Sequence, residues 1–295
     1  MSPHLTRVKA RMTIHAHRKV RGLLEGEYAS LQTGRSMDFN DLREYVRGDD
    51  VKDIDWKASA RSRALLVKRY AAARKHNIML VASTGRSMAA MNDLNVPKRD
   101  MAITVAGVVG YLAVKHGDQV GMVRGDASGS HQMPPAGGEL NLEHRLAAIH
   151  DAITPTAAPA DLKQVLRYVT RTVRRRTIMC IISDEYAVDE ELAQILRRLV
   201  VQHELLYVSI GDLDPTTAAE SSSLVDIDSG GLVPDWARHD EQLRREFASL
   251  VTGEADGMRR ELDALGIVHQ MVHDHDSAIH AVLTMLERHR HARRR

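Results

Sequence analysis

Cysteine is nearly missing from this sequence. Cys180 is its only one, so no disulfide can form within the chain. Aromatic side chains are also scarce: two Phe, two Trp and seven Tyr in 295 residues are too few for a base-stacking platform of the single-strand-binding kind. No apolar run is long enough to cross about 30 Å of hydrocarbon. The longest, Met101 to Val114, contains Gly107 and Gly110, which suit close packing inside a protein. The opening residues show neither the apolar core nor the small-residue cleavage site of a signal peptide, so a cytoplasmic location is the expectation. Nucleotide and hydrolase signatures are missing too. There is one glycine where a Rossmann fingerprint needs three, no G-x-x-x-x-G-K-[ST], and no G-x-S-x-G elbow.

Charge of one sign is not in excess, since the formal net charge is +2. Positive residues nevertheless gather at both ends, at Arg7, Lys9, Arg11, Arg18, Lys19 and Arg21 and again at Arg288, Arg290 and Arg293 to Arg295. Solvated helix faces account for such runs, and no nucleic-acid partner is expected. Nucleic-acid binding by these basic termini is the alternative, and a steep loss of affinity with salt would betray it.

Strand and helix signals alternate through the rest of the chain. Ile78 to Ala82 is a continuous apolar run that ends in Ser83-Thr84-Gly85-Arg86-Ser87, as a buried parallel strand runs into a loop. Thr177 to Ile182, ending in Ser183-Asp184-Glu185, has the same grammar. Further strands are expected at Leu65–Tyr70, Leu205–Ile210 and Ile267–Val272, and a hairpin at Gln119–Arg124 and Ser128–Met133 turning at Gly125-Asp126. Pro134 to Gly138 is expected to be a loop. Helices are expected at residues 1 to about 25, Lys98–Lys115, Glu139–Ala152, Asp161–Arg175 and Ser277–Arg290. Another follows Asp184, and a long one from Asp235 to Leu265 is expected to break near Gly253 and Gly257. Phe39, Leu42 and Tyr45 have helical spacing, with Gly48 as a left-handed terminus before Asp49 or Asp50 caps a further turn. The alternation predicts an α/β fold with a doubly wound, mostly parallel sheet and one antiparallel edge strand.

Isolated reactive groups have plain explanations. Cys180 lies in an apolar strand and behaves as a small hydrophobe. His269, His273 and His275 are spaced to share a metal or simply to end a solvated strand. The carboxylates Asp49, Asp50, Asp53 and Asp55 bind a cation or cap helices, and the interleaved Lys52 and Lys57 favour capping.

Two longer runs carry more information. Phe39-x-x-Leu42-Arg43-x-Tyr45-x-x-Gly48-Asp49-Asp50 and Ile54-Asp55-Trp56-Lys57-x-Ser59-Ala60-Arg61 closely resemble the signature of the bacterial family called domain of unknown function 58. Gly117 to Gly121, Pro134-Pro135, Ile182-Ser183-Asp184, Asp214-Pro215 and Leu265-Gly266-Ile267 fall where that family would put them. The family is similar to von Willebrand factor A domains, which implies a central sheet between helices and, in complete members, a metal-ion-dependent adhesion site. That site uses D-x-S-x-S, a later threonine and a late aspartate to give magnesium its oxygen ligands. Here the matching positions are Ser83, Gly85, Ser87, Ala160 and Asp184. Only one carboxylate is left, so the site is expected to be degenerate, with no cofactor and at most weak magnesium binding. Arg86 is expected either to pair with Asp184 or Glu185 in place of the cation or to point into water.

The resulting expectation is an α/β von Willebrand A-like domain at residues 71–295, with residues 1–70 as a helical and family-motif extension packed on it. Phe39, Leu42, Tyr45 and Trp56 are expected to make that packing. The resemblance implies a non-enzymatic interaction or adaptor protein partnering a MoxR-type AAA+ ATPase, with Arg86, Asp184 and Glu185 as partner-binding candidates. The enzymatic alternative is a metal-dependent or serine hydrolase using Asp184 with Ser83 or Ser87.

Overall fold

The computed structural model of the protein describes residues 3–19, 39–46, 49, 51, 54–62, 64–70, 77–92, 94–184, 187–216, 224–234, 236 and 240–292. In chain order the elements are α1 (Pro3–Lys19), β1 (Phe39–Glu44), α2 (Trp56–Ser62), β2 (Leu66–Tyr70), β3 (Asn77–Ser83), a 3-10 turn (Arg86–Ala89) and α3 (Lys98–Lys115). Then come β4 (Gln119–Asp126), β5 (Gly129–Ala136), α4 (Glu139–Ala152), α5 (Leu162–Thr172), β6 (Ile178–Ser183), α6 (Glu190–Gln202), β7 (Glu204–Ile210), α7 (Glu241–Ala264), β8 (Val268–Val272) and α8 (His275–Ala292).

Six strands form the central sheet in the order β5-β4-β3-β6-β7-β8. All neighbours are parallel except the edge strand β5, which runs antiparallel to β4. The expected doubly wound sheet between helices is thus present. Alternation of side chains along β3 explains the two-sided core. Ile78, Leu80 and Ala82 join α1, α3, α4 and α8 on one face, while Met79 and Val81 join α5, α6 and α7 on the other. The chain leaves β3 toward β4 and later returns to its other side as β6, so the order reverses between β3 and β6. In open α/β sheets the crevice beyond the carboxyl ends at such a reversal is where ligands sit.

The first helix belongs to this core. Leu5, Val8 and Met12 of α1 are buried among residues of α3, α4 and α8. Gly107 on α3 makes room for it, because a Cβ there would lie 2.7 Å from Val8 Cγ2. Glu143 of α4 accepts hydrogen bonds from the His4 and Leu5 backbone N–H groups at 3.1 and 2.7 Å. A carboxylate at that end also complements the helix dipole.

Several local expectations are corrected. Phe39, Leu42 and Tyr45 do not form a helix: Phe39–Glu44 is a strand paired antiparallel with Leu66–Tyr70 in a separate two-stranded sheet. Cross-strand pairing decided the state of a segment too short for its spacing to do so. Trp56 is 63% exposed rather than packed in a core. The side chain of Phe39 lies outside the described residues, as do Gly48, Asp50, Lys52 and Asp53. Pro134 and Pro135 are in β5, where an edge strand tolerates residues lacking an N–H. The turn before β5 is at Ala127-Ser128. Helix α7 runs through Gly253 and Gly257, each a cost of about 1 kcal/mol relative to Ala that neighbouring helix formers absorb.

Candidate functional site

The crevice at the ends of β3 and β6 is built by three loops. After β3, the Thr84 N–H donates to Gly125 O at 2.9 Å and the Arg86 N–H to Ala158 O at 3.0 Å. Gly85 lies so close to Ala160 that a Cβ would be 2.4 Å from Ala160 Cα and N. Only glycine fits this approach. Gly85 and Ala160 thus meet, with Ser83 and Ser87 two residues to either side of Gly85. The Oγ atoms of Ser83 and Ser87 are both shielded from solvent, and neither has a hydrogen-bond partner among the described residues.

The cation at this site is a lysine. Lys98, the first residue of α3, has no exposed surface, and its Nζ lies 2.8 Å from Asp184 Oδ2 and 2.9 Å from Asp212 Oδ2. Asp184 follows β6 and Asp212 follows β7, so parallel pairing of those strands sets the two carboxylates side by side. Burial works against the ammonium, but attraction to Asp184 and then Asp212 outweighs it and raises the Lys98 pKa above its ordinary value. The lysine is charged at any physiological pH. The residues present do not fit a divalent cation: an ammonium already bridges the carboxylates, Gly85 and Ala160 offer no side-chain oxygen, and the remaining donors are hydroxyls.

Arg86 does not pair with Asp184. Its Nε is 3.4 Å from Asp228 Oδ1, on the segment between β7 and α7. Asp184 is already held by the shorter, buried bond to Lys98. Glu185 lies outside the described residues. Sequence reasoning missed Lys98 and Asp212. No local pattern pointed to either: Lys98 opens α3 beside Arg99 and Asp100, and the carboxylates it meets lie far away in the sequence.

The crevice wall is fixed by Asn92, which is fully buried. Its Oδ1 accepts from the Leu94 and Val96 N–H groups at 3.1 and 2.9 Å, and its Nδ2 donates to Met101 Sδ at 3.7 Å and to His273 O. The three histidines have separate surroundings. His269 Nε2 meets Ser209 Oγ at 2.9 Å, His275 Nδ1 meets Thr104 Oγ1 at 2.9 Å, and the His273 ring lies against Gly211. Burial pushes the His269 pKa down to about 4, with a smaller contribution from Arg259.

The Arg43-to-Arg61 motif makes a local scaffold. Arg43 donates twice to Asp49, at 2.8 and 2.7 Å, and these bonds hold the Asp49 carboxyl below its ordinary pKa. Asp55 Oδ1 accepts from the Lys57 and Ala58 N–H groups at the start of α2. Ser59 Oγ accepts from the Leu66 N–H at 2.8 Å, tying α2 to β2, and Ile54 and Val67 are buried beneath. Capping is thus what Asp55 does.

The family model described as "Protein of unknown function DUF58" matches residues 41–256. The chain belongs to this family. Uncharacterized proteins from Mycobacterium bovis and from Mycobacterium tuberculosis strain H37Rv are each 24% identical over 269 residues, covering 90% of this chain and 83% of theirs. Among solved structures, a von Willebrand factor type A protein from Catenulispora acidiphila has a TM-score of 0.39 at 13% identity, covering 75% of this chain and 43% of its own. The pilus adhesin SpaC from Lactobacillus rhamnosus GG has a TM-score of 0.41 at 11% identity, covering 73% of this DUF58 chain and 30% of its own. The chain thus spans less than half the length of either solved structure. Among the described residues of the DUF58 protein, no helix is long and apolar enough to cross a membrane.

Proposed function

We propose that this DUF58 protein is a non-enzymatic interaction or adaptor protein, and that it presents the carboxyl ends of its central strands to a protein partner without a metal ion. The observation that carries the reading is Lys98, whose ammonium is buried between Asp184 and Asp212. A positive charge that an adhesion-type site would take from solution is here part of the chain. The family resemblance supports a MoxR-type AAA+ ATPase as the partner. The hydrolase alternative has less support. Ser83 and Ser87 have no hydrogen-bonded base among the described residues, and Asp184 is committed to Lys98.

Thermal unfolding with and without millimolar magnesium, on the parent and on Lys98→Ala, tests the metal-free reading. A ligand at about a hundred times its Kd adds roughly 2.7 kcal/mol to stability. The parent should show no shift, whereas Lys98→Ala, with two carboxylates freed, should be stabilised. An upward shift in the parent that Asp184→Ala abolishes overturns the reading. Association with the ATPase should likewise survive EDTA.

A further inference from the structure

Beside Lys98 the crevice opens into a groove of about 580 Å3, within the range of ligand-sized clefts. Met91, Leu213, Leu224, Val225, Ile227 and Val233 give it apolar walls. An antiparallel bridge between Val225 and Leu232 folds the 224–234 segment over one side. Val225 and Leu232 are 56% and 70% exposed, and Met91 is 49% exposed. Apolar side chains left in water around a groove mark an interaction surface more often than chance.

The charges of the groove decide what suits it. Among the described residues its lining carries one cation, Lys98, against three carboxylates, Asp212, Asp226 and Asp228. Lys98 is already shared between Asp184 and Asp212, so that cluster keeps one negative charge in excess. Arg86 answers Asp228. Asp226 has no cation partner among the described residues. Hydrogen bonds from Ser229 and from the Asp228 backbone hold its pKa below the ordinary value, so it stays ionised. Asp212 has a side chain 48% exposed, leaving it open to the groove.

Resting on the adaptor reading, we infer that this groove takes an apolar segment of a partner protein carrying a lysine or arginine, whose charge is received by Asp212 and Asp226. An acidic side chain, the ligand an adhesion-type site would capture, meets like charge here, which opposes binding. The partner's basic residue supplies Asp226 with the cation it has not found among the described residues, and its apolar neighbours cover Val225, Leu224 and Met91.

Fluorescence anisotropy on the full chain tests this with three labelled peptides, acetyl-Leu-Val-X-Leu-Val-amide with X as Lys, Gln or Glu. The lysine peptide should bind about tenfold tighter than the glutamate peptide, and the preference should shrink with added salt. Asp226→Asn should cut the preference severalfold without disturbing Lys98, and Asp212→Asn should cut it further. Preference for the glutamate peptide, equal binding of all three, or no binding at all overturns the inference. The Asp226→Asn protein is then assayed against the ATPase. If the lysine preference holds but the ATPase binds neither parent nor variant, the groove inference stands and the ATPase reading falls. If the ATPase binds the parent but the peptides do not discriminate, the reverse is concluded.

Discussion

Lys98 is an ammonium with no access to water, and its worth depends on what remains when it is removed. Lys98→Ala leaves Asp184 buried beside Asp212 with no counter-charge, and breaking a buried pair in this way costs about 3–5 kcal/mol. The loss should be near the lower end, because Asp212 can turn to solvent. Urea unfolding of parent and variant at low salt measures it, and a change under about 1 kcal/mol would show that the triad contributes little. His269 gives a pH signature. Its folded pKa of about 4 lies below the ordinary 6.5, so only the unfolded chain takes up this proton between those values. Stability should therefore fall by up to about 3 kcal/mol as pH drops from 6.5 to 4, and His269→Gln should flatten that slope. Cys180 is fully buried, which pushes its thiol up to about 12. It should resist alkylation at pH 8 until the protein is unfolded. Labelling at native-state rates equal to those in denaturant would contradict its burial.

At the scale of elements, α5 and α6 were legible because each carries its own apolar face, α3 because its apolar run is too long for a strand, and β3, β6 and β7 because continuous apolar runs end in polar loops. The two-stranded sheet was not. Phe39, Leu42 and Tyr45 fit a helix as well as a strand, and only the distant pairing of Leu42 with Lys68 and of Arg43 with Val67 settles the matter. The Asp55 cap was legible from its place before Trp56-Lys57-Ala58. Replacing Asp55 with Ala should cost about 1 kcal/mol, the usual worth of such a cap, and should lower the midpoint without changing the m-value. The loop meeting of Gly85 and Ala160 was legible only through the family resemblance. A methyl at Gly85 must displace the Ala160 backbone, so Gly85→Ala should destabilise by about 1–3 kcal/mol, as overpacking does. Guanidinium melting of that variant beside the parent is the check.

For the whole molecule, the mostly parallel sheet and the pairing of the two strand ends at one site followed from alternation of strands and helices, whereas the strand order came only with the structure. The cation inside that crevice was hidden because an ion triad joins residues from three segments far apart in the sequence, none of which has a local pattern pointing at the others. The place of α1 was partly legible. Its apolar stripe was visible, but not that α3, α4 and α8 would receive it. That arrangement has a consequence for synthesis. α1 packs against α8, which is made long after it, so this helix cannot settle until the sheet and helices between them have left the ribosome. At roughly 5–20 residues per second its apolar stripe waits on the order of tens of seconds. During that interval the nascent chain offers a chaperone, or another nascent chain, the surface that the finished protein hides.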